Sequence, residues 1–233
     1  MQQTAALILL AEDDENLRFV IQDNLELRGF RVEAASNGRE ALEKFRQLKV
    51  DLCILDVMMP EMDGFAVAQK IREQDAHVPV LFLTARGQKE DRLQGFRVGG
   101  DDYLTKPFSI EELLFRMEVF LKRPVVQAKK DPETSYKTAG LEFFPAHLRI
   151  DSAEGSLSLT YKEAELLEMF FRNQGQVLRR EDILMKIWGT DDYYKGRSLD
   201  VFVSRIRKFL QADSSIEIQT VHGVGFKFLI HSR

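Results

Sequence analysis

Short apolar runs that end in a polar residue recur through the first half of the chain. Residues 52–55 are all apolar and lead directly into Asp56, and residues 78–84 repeat this arrangement. A run of this length without helical spacing is typical of a strand buried on both faces. Between the runs, apolar residues recur at helical spacing, as on one face of residues 16–28. The first half is therefore predicted to alternate strands with helices.

Five such strands and five helices are predicted before residue 123. This alternation predicts a five-stranded parallel sheet with right-handed crossovers and helices on both faces, which is a doubly wound α/β domain. The strands are predicted at residues 7–11, 30–35, 52–56, 78–84 and 102–105, and the helices at residues 16–28, 37–48, 64–73, 90–98 and 109–121.

The pattern changes after residue 123. Residues 124–137 are polar and carry no periodic apolar positions, so they are predicted to form an interdomain linker. Short alternating strands follow at residues 140–159, and a hairpin closes the chain at residues 216–230. Three helices between them predict an α+β winged-helix domain. The predicted helices cover residues 160–173, 180–188 and 197–210, and the predicted division is residues 1–122, a linker at 123–137, and residues 138–233.

Composition narrows the class of protein. No apolar run approaches the roughly 18 residues that a membrane span needs, and the N-terminus lacks the features of a secretory signal. The single cysteine, Cys53, lies in a predicted buried strand, where packing is its expected role. We therefore expect a cytoplasmic protein with no membrane partner. The net charge is −4, yet residues 197–210 hold four basic residues and one acid. Such a basic stretch indicates either a surface that binds nucleic acid or a solvated helix face.

Polar side chains at four strand ends are expected to meet in one crevice, because the carboxyl ends of parallel strands share one edge. They are Glu12 and Asp13, then Asp56, Thr84 and Lys106. Three neighbouring carboxylates repel one another unless a cation intervenes, and Mg²⁺ prefers oxygen ligands. A carboxylate beside Mg²⁺ can accept a phosphoryl group, whose oxygens a lysine and a hydroxyl can then bind. A plain salt-bridge network is the alternative that these residues leave open.

Four motifs in this half resemble the receiver domain of bacterial two-component response regulators, which has a flavodoxin-like fold. They are Glu12-Asp13, the segment Ile54 to Gly64, Leu83-Thr84-Ala85 and Lys106-Pro-Phe108, within a match of roughly residues 6–122. The resemblance implies that Asp56 accepts phosphoryl from a sensor histidine kinase, and that the Lys106-Pro107 bond is cis. It also implies that Asp13, Asp56, the Met58 carbonyl and, through water, Glu12 bind Mg²⁺, that Thr84 and Tyr103 form a switch pair, and that Lys106 holds the phosphoryl group.

Residues 138–230 resemble the DNA-binding domain of OmpR/PhoB-type regulators, through motifs such as Val177-Leu-Arg-Arg-Glu-Asp and Thr220-Val-His-Gly-Val-Gly-Phe. We expect the third helix to enter the major groove and the hairpin to reach the minor groove. Phe202 is expected to face away from the helix's core side, where it packs or touches a thymine methyl. Arg205 and Ser204 are candidate base readers, and Arg197, Arg207 and Lys208 are candidate phosphate contacts. Ser198 and His222 complete the predicted DNA-binding set.

The resemblance also implies a switch between the two domains. Phosphorylation is expected to favour a symmetric homodimer through the fourth helix, fifth strand and fifth helix of the receiver. The expected pairs between subunits are Arg92 with Glu112, Asp102 with Arg116, and Arg97 with Glu118, although rim charges worth under about 1 kcal/mol each are the alternative. Such a dimer would bind promoter half-sites about 10 base pairs apart. In this family the loop at residues 189–196 can contact RNA polymerase.

Two other functions are weighed against this one. A phosphatase or phosphotransferase with an aspartate nucleophile needs a second acid, but Asp56 is followed by Val57 and Met58. We therefore expect a transcription regulator and not an enzyme. A phosphorylation-independent regulator that uses the receiver only for dimerisation is the other reading. It is disfavoured because the acid, threonine and lysine positions are all filled.

Overall fold

The computed structural model describes residues 5–85, 99–121, 134–189 and 193–231, with side chains from residue 199 onward in the last range. Contacts divide the chain into two compact units, residues 1–127 and 128–233. Within the described ranges, no helix is long and apolar enough to cross a membrane. The predicted helix at residues 90–98, with Arg92 and Arg97, lies outside the described residues, as does most of the predicted linker.

The first unit contains a five-stranded parallel sheet in the order β2-β1-β3-β4-β5. This confirms the predicted doubly wound α/β fold. The strands are β1 (Leu7–Ala11), β2 (Arg31–Ala35), β3 (Leu52–Asp56), β4 (Val80–Ala85) and β5 (Asp102–Lys106), and the described helices are α1 (Glu15–Leu27), α2 (Gly38–Gln47), α3 (Gly64–Gln74) and α4 (Ile110–Leu121).

The core of this unit lies on the central strands. All residues of β1 and β3 are buried, as expected for strands covered on both faces. On one face of the sheet, Ile21 and Leu25 of α1 and Leu113 and Met117 of α4 join a single apolar cluster. Side-chain caps fix where the helices begin, because Asp14, Asn37 and Asp63 each accept a backbone N–H from the first turn that follows.

The described part of the second unit contains two antiparallel sheets around three α-helices, which is the predicted winged-helix arrangement. The first sheet has the order β6-β7-β8-β9 and the second the order β10-β12-β11. The strands are β6 (Tyr136–Lys137), β7 (Leu141–Phe144), β8 (Arg149–Ser152), β9 (Gly155–Ser158), β10 (Val177–Arg179), β11 (Ile216–Val221) and β12 (Gly225–Ile230), and the helices are α5 (Tyr161–Arg172), α6 (Arg180–Trp188) and α7 (Tyr193–Phe209).

Two predicted boundaries are wrong in this unit. The linker was predicted to reach residue 137, but Tyr136 and Lys137 form β6, and the Tyr136 ring stacks on Phe171 with centroids 4.9 Å apart. A two-residue edge strand is too short to show alternation. Helix α7 begins at Tyr193 and not near residue 197, although Gly196 favours a loop by its low helix propensity.

Candidate acidic site and nucleic-acid interface

The carboxyl ends of β1, β3 and β5 form an acidic crevice. Glu12 and Asp13 follow β1, and their oxygens and those of Asp56 on β3 lie within 4.8 Å of one another. The Lys106 ammonium, at the end of β5, lies 2.7 Å from Asp56 Oδ2 and 2.7 Å from Glu12 Oε2. The Lys106-Pro107 bond is cis, as the resemblance implies. The structure thus brings together the acidic and basic residues that the sequence places at separate strand ends.

Burial makes this cluster electrostatically unusual. Glu12 is fully buried and Asp56 is only 4% exposed. The pKa of Glu12 is raised to about 7: burial raises it most, the hydrogen bond from Lys106 lowers it, and the negative charge of Asp56 raises it further. Burial lowers the pKa of Lys106, but its hydrogen bonds to Asp56 and Glu12 outweigh this and raise it. Three carboxylates face the single ammonium of Lys106, so the crevice has an excess of acidic groups. A bound cation would stabilise their charged forms.

The loop after β3 is folded tightly around Asp56. The backbone N–H of Met58 donates to Asp56 Oδ1 at 3.1 Å, and that of Gly64 donates to the Val57 carbonyl at 3.0 Å. A Cβ atom at Gly64 would lie 2.2 Å from the Asp56 carbonyl oxygen, so only glycine fits where α3 begins. Met58 is 58% exposed. This packing fixes the Asp56 carboxylate from its own loop.

Thr84 and Tyr103 lie on neighbouring strands beside the crevice. Thr84 is fully buried at the end of β4, and its hydroxyl lies at the long distance of 3.5 Å from the Ala85 carbonyl. Tyr103 pairs in register with Phe82 of β4, and the two rings stack with centroids 5.1 Å apart. With 7% of its surface exposed, the Tyr103 ring points inward in this structure.

The second unit presents a polar face on α7. Asp200, Ser204 and Lys208 recur every four residues and are all exposed. Arg207 is partly withdrawn from this face, because its guanidinium donates to the Ile218 carbonyl at 2.6 Å and to Thr220 Oγ1 at 2.8 Å. His222 lies at the tip of the β11–β12 hairpin and is exposed. The side chains of Arg197 and Ser198 lie outside the described residues.

Phe202 is not on the exposed face of α7, so the prediction that it contacts DNA is wrong. It is fully buried, and its ring meets Trp188 of α6 edge-on with centroids 5.3 Å apart. The buried stripe of α7 therefore includes Phe202 as well as Leu199, Val203 and Ile206. A bulky aromatic residue in that stripe fills the space against α6.

Two residues that contact the predicted sites were missed by sequence reasoning. Glu163 of α5 is 1% exposed and lies 2.8 Å from the guanidinium of Arg205. Glu163 has the spacing from the N-cap Thr160 that is typical of a capping box, which the sequence shows, but the sequence does not show its partner on α7. Arg18 of α1 donates to the backbone carbonyls of Glu12 and Asp13 at 2.7 and 3.2 Å. A contact from a side chain to backbone leaves no pattern in a single sequence.

Comparisons with known proteins agree with both units. Residues 8–118 match the family described as response regulator receiver domain, and residues 154–228 match transcriptional regulatory protein, C terminal. The chain is 43% identical over 223 residues to the transcriptional regulatory protein RprY of Bacteroides fragilis (strain YCH46), covering 95% of this chain and 94% of that protein. It is 37% identical over 228 residues to the alkaline phosphatase synthesis transcriptional regulatory protein PhoP of Bacillus subtilis (strain 168), covering 94% and 95%.

Solved structures give the same result. A mutant of RitR has a TM-score of 0.73 at 25% identity over 96% of this chain and 98% of that one. The response regulator DrrB of Thermotoga maritima, described as an OmpR/PhoB homologue, has a TM-score of 0.52 at 30% identity over 97% and 99%. A receiver with an acidic crevice, followed by a winged helix, defines a two-component response regulator. The chain belongs to the OmpR/PhoB family of such regulators, which are DNA-binding transcriptional regulators in a phosphorelay.

Proposed function

We propose that Asp56 accepts a phosphoryl group from a sensor histidine kinase, and that this modification controls binding of the second unit to promoter DNA. The observation that carries the proposal is the convergence of three carboxylates within 4.8 Å, with the Lys106 ammonium 2.7 Å from Asp56. A salt-bridge network alone does not need a buried excess of acids over lysines. A site that binds a metal cation and a phosphoryl group does need such an excess of acids.

Mg²⁺ fits the donor set of the crevice. Glu12, Asp13, Asp56 and the Met58 carbonyl offer only oxygen ligands, which suit a hard divalent cation, with Glu12 acting through water. When bound, Mg²⁺ supplies positive charge to the acidic cluster and to the phosphoryl oxygens. Asp56 is the nucleophile: an oxygen of its carboxylate bonds to phosphorus while the phosphorus–nitrogen bond of the kinase phosphohistidine breaks.

Lys106 and Thr84 then bind the new phosphoryl oxygens. Lys106 already lies within hydrogen-bond distance of Asp56, so a small shift moves its ammonium onto the phosphoryl group. The Thr84 hydroxyl makes a long contact with the Ala85 carbonyl and can turn to donate to a phosphoryl oxygen. The Tyr103 ring already lies inward beside β4 in this structure, and movement of Thr84 toward the phosphoryl group would leave space that holds it there. The switch pair thereby couples the crevice to the outer face of β5 and α4.

That face is the proposed dimer interface. It combines β5 and α4 with the predicted helix at residues 90–98 and would bring together Arg92, Arg97, Asp102, Glu112, Arg116 and Glu118. In the single chain, Arg116 bridges Asp102 at 3.0 Å and Glu112 at 2.5 Å. Pairing between subunits therefore requires these internal bonds to be exchanged for equivalent ones with the partner.

For DNA binding, we propose that α7 enters the major groove and that the β11–β12 hairpin lies over the minor groove. Ser204 and Lys208 are exposed on α7, and Arg197 and Ser198 precede them in the same helix. Arg205, whose guanidinium lies 2.8 Å from Glu163, is a further candidate base reader. Two such units in a dimer would read half-sites about 10 base pairs apart. Contact of residues 189–196 with RNA polymerase is a further element of this proposal.

The test is intact mass after incubation with Mg²⁺ and acetyl phosphate. Wild type is expected to gain one phosphoryl group and Asp56→Asn none. Asp14→Asn is the matched control, because it removes a neighbouring acid yet keeps the N-cap acceptor of α1. No phosphoryl group on any form would contradict the proposal.

DNA binding and phosphomonoester turnover distinguish the proposed function from the two alternatives. Full DNA binding by Asp56→Ala without phosphorylation would favour a regulator that uses the receiver only for dimerisation. Catalytic turnover of a phosphomonoester by wild type would favour an enzyme instead, which we do not expect of this family.

A further inference from the structure

Arg18 contacts the acidic crevice from the first turns of α1. Its Nη1 atom donates to the carbonyl of Glu12 at 2.7 Å and to the carbonyl of Asp13 at 3.2 Å. One side-chain nitrogen therefore bridges two successive carbonyls of the segment that carries both acids. Arg18 itself is half-buried.

The Glu12 side chain has restraints of its own, because its Oε1 accepts from Lys106 Nζ at 2.8 Å and from the Asp14 N–H at 3.4 Å. In the described part of the chain, the backbone of the segment has few others. The ladder of β1 ends at Ala11, and α1 begins at Glu15. Between them, the backbone N–H of Glu12 still donates to the Ala35 carbonyl at 3.1 Å. The carbonyls of Glu12 and Asp13 point to the other partner, Arg18. The peptide groups around the two acids are thus held by β2 on one side and by α1 on the other.

The position of Arg18 is electrostatically unusual. It is the fourth residue of α1, close to the positive end of the helix dipole, where a cation is disfavoured. An arginine that served only as a surface charge would be better placed at the other end. Its short hydrogen bond to the Glu12 carbonyl offsets this cost and places a fixed donor behind the acidic pair.

We infer that Arg18 is a positioning residue for the cation site: it holds the backbone of Glu12 and Asp13 so that their carboxylates face Asp56. The inference rests on the proposed Mg²⁺ site. The positioning role and simple electrostatics predict opposite changes in Mg²⁺ affinity when Arg18 is replaced. Removing a positive charge near a cation site should tighten cation binding, whereas removing a residue that holds the ligand segment should weaken it.

The test is the affinity of the full chain for Mg²⁺ alone, measured by isothermal titration calorimetry. Arg18→Met keeps the aliphatic stem and removes the guanidinium, and we expect it to weaken Mg²⁺ binding by about tenfold, as other outer-shell losses do. Arg18→Lys keeps the charge with a single ammonium, and its affinity is expected to fall between those of Arg18→Met and wild type. Arg46→Ala, at an exposed position of α2, is the control for the loss of one positive charge in the same unit.

The outcomes distinguish failure of the proposed metal site from failure of the positioning role of Arg18. Failure of wild type to bind Mg²⁺, or binding that survives in Asp13→Asn, would overturn the proposed metal site. If wild type binds and Asp13→Asn does not, equal or tighter binding by Arg18→Met would overturn only the positioning role. Thermal unfolding without Mg²⁺ establishes that each variant is folded. Should Arg18→Met fail to fold, Arg18→Lys decides: weaker binding than wild type supports the role, and equal binding overturns it.

Discussion

The guanidinium of Arg116 on α4 lies 3.0 Å from the carboxylate of Asp102 on β5, within one chain. Both side chains are largely enclosed, with 14% of Arg116 and 6% of Asp102 exposed. The same two residues are proposed to pair between subunits in the phosphorylated dimer. Because one guanidinium can serve either partner, the dimer would exchange an existing bond for an equivalent one and gain little net energy from the pair itself.

Mixing two variants tests where this pair forms. Arg116→Glu and Asp102→Lys should each fail to dimerise after phosphorylation, because each places like charges across the interface. An equimolar mixture is expected to form heterodimers, since one pair across the interface is then native and the other is reversed. Sedimentation velocity would measure this. A mixture that stays monomeric would show that the pair works only within a chain, because neither variant retains an intact internal pair.

The contact between Glu163 and Arg205 predicts that a residue outside α7 affects DNA binding. Glu163→Gln removes the charge that holds Arg205 while keeping an acceptor for the Thr160 N–H. We expect weaker binding to DNA selected with the wild-type protein, by up to about tenfold, and a free energy of unfolding lower by about 1–3 kcal/mol. Glu154→Gln, at an exposed turn, is the control.

A double variant distinguishes the origin of that loss. If Glu163 acts through Arg205, then Arg205→Ala should weaken binding less in the Glu163→Gln background than in wild type. Full additivity of the two changes would contradict the coupling.

Burial of Phe202 predicts an effect on stability. Phe202→Ala should lower the free energy of unfolding of the second unit by about 3–5 kcal/mol, because it leaves a cavity beside Trp188. Trp188 is the only tryptophan of the chain, so its fluorescence reports this unit during urea unfolding. Met185→Ala, which alters a 54% exposed residue on α6, should change the free energy by no more than about 0.5 kcal/mol. Unchanged stability together with weakened DNA binding would restore Phe202 as a contact residue.

Asp213 predicts a dependence of stability on pH. Burial raises the pKa of this carboxyl, but hydrogen bonds from Thr138, Ser215 and the backbone of Gly140 outweigh it and lower the pKa from 3.8 to about 2. Because the folded-state pKa is depressed, the stabilisation is present above about pH 4 and is lost as the pH falls through 2. The shift corresponds to about 2 kcal/mol.

The difference between wild type and Asp213→Asn should therefore shrink as the solution is acidified. Urea unfolding of both proteins at pH 7, 4 and 2.5, followed by Trp188 fluorescence, measures the difference directly. Comparing the two proteins cancels the titration of other carboxyl groups. A difference that stays constant over this range would mean that these hydrogen bonds do not depend on the charge of Asp213.

The sequence predicts most of the first unit because its signals are local. The apolar runs of β1 and β3 end at the residues that form the crevice, and parallel strands bring these ends to one edge. The N-caps at Asn37 and Asp63 are likewise readable from a few neighbouring residues. Both the fold and the acidic cluster therefore follow from short-range patterns combined with one rule of topology.

Partners between distant elements do not follow from such patterns. The periodicity of α7 identifies a buried face, yet it does not reveal that Phe202 widens that face against Trp188. The contacts from Arg205 to Glu163 and from Arg18 to two carbonyls depend on how separate elements pack. Strand β6 was missed for another reason: two residues on a sheet edge are stabilised by their neighbours and not by their own sequence.

Cys53 gives the protein a built-in probe. It is the only cysteine, it is fully enclosed in β3, and burial raises the pKa of its thiol to about 12. Such a thiol stays unreactive toward alkylating dyes until the central strand opens. Its rate of labelling therefore measures how often the receiver sheet opens locally. Cysteines introduced at exposed sites, one in each unit, could then carry fluorophores selectively in the otherwise natural chain. Energy transfer between them would measure whether the distance between the two units changes on phosphorylation.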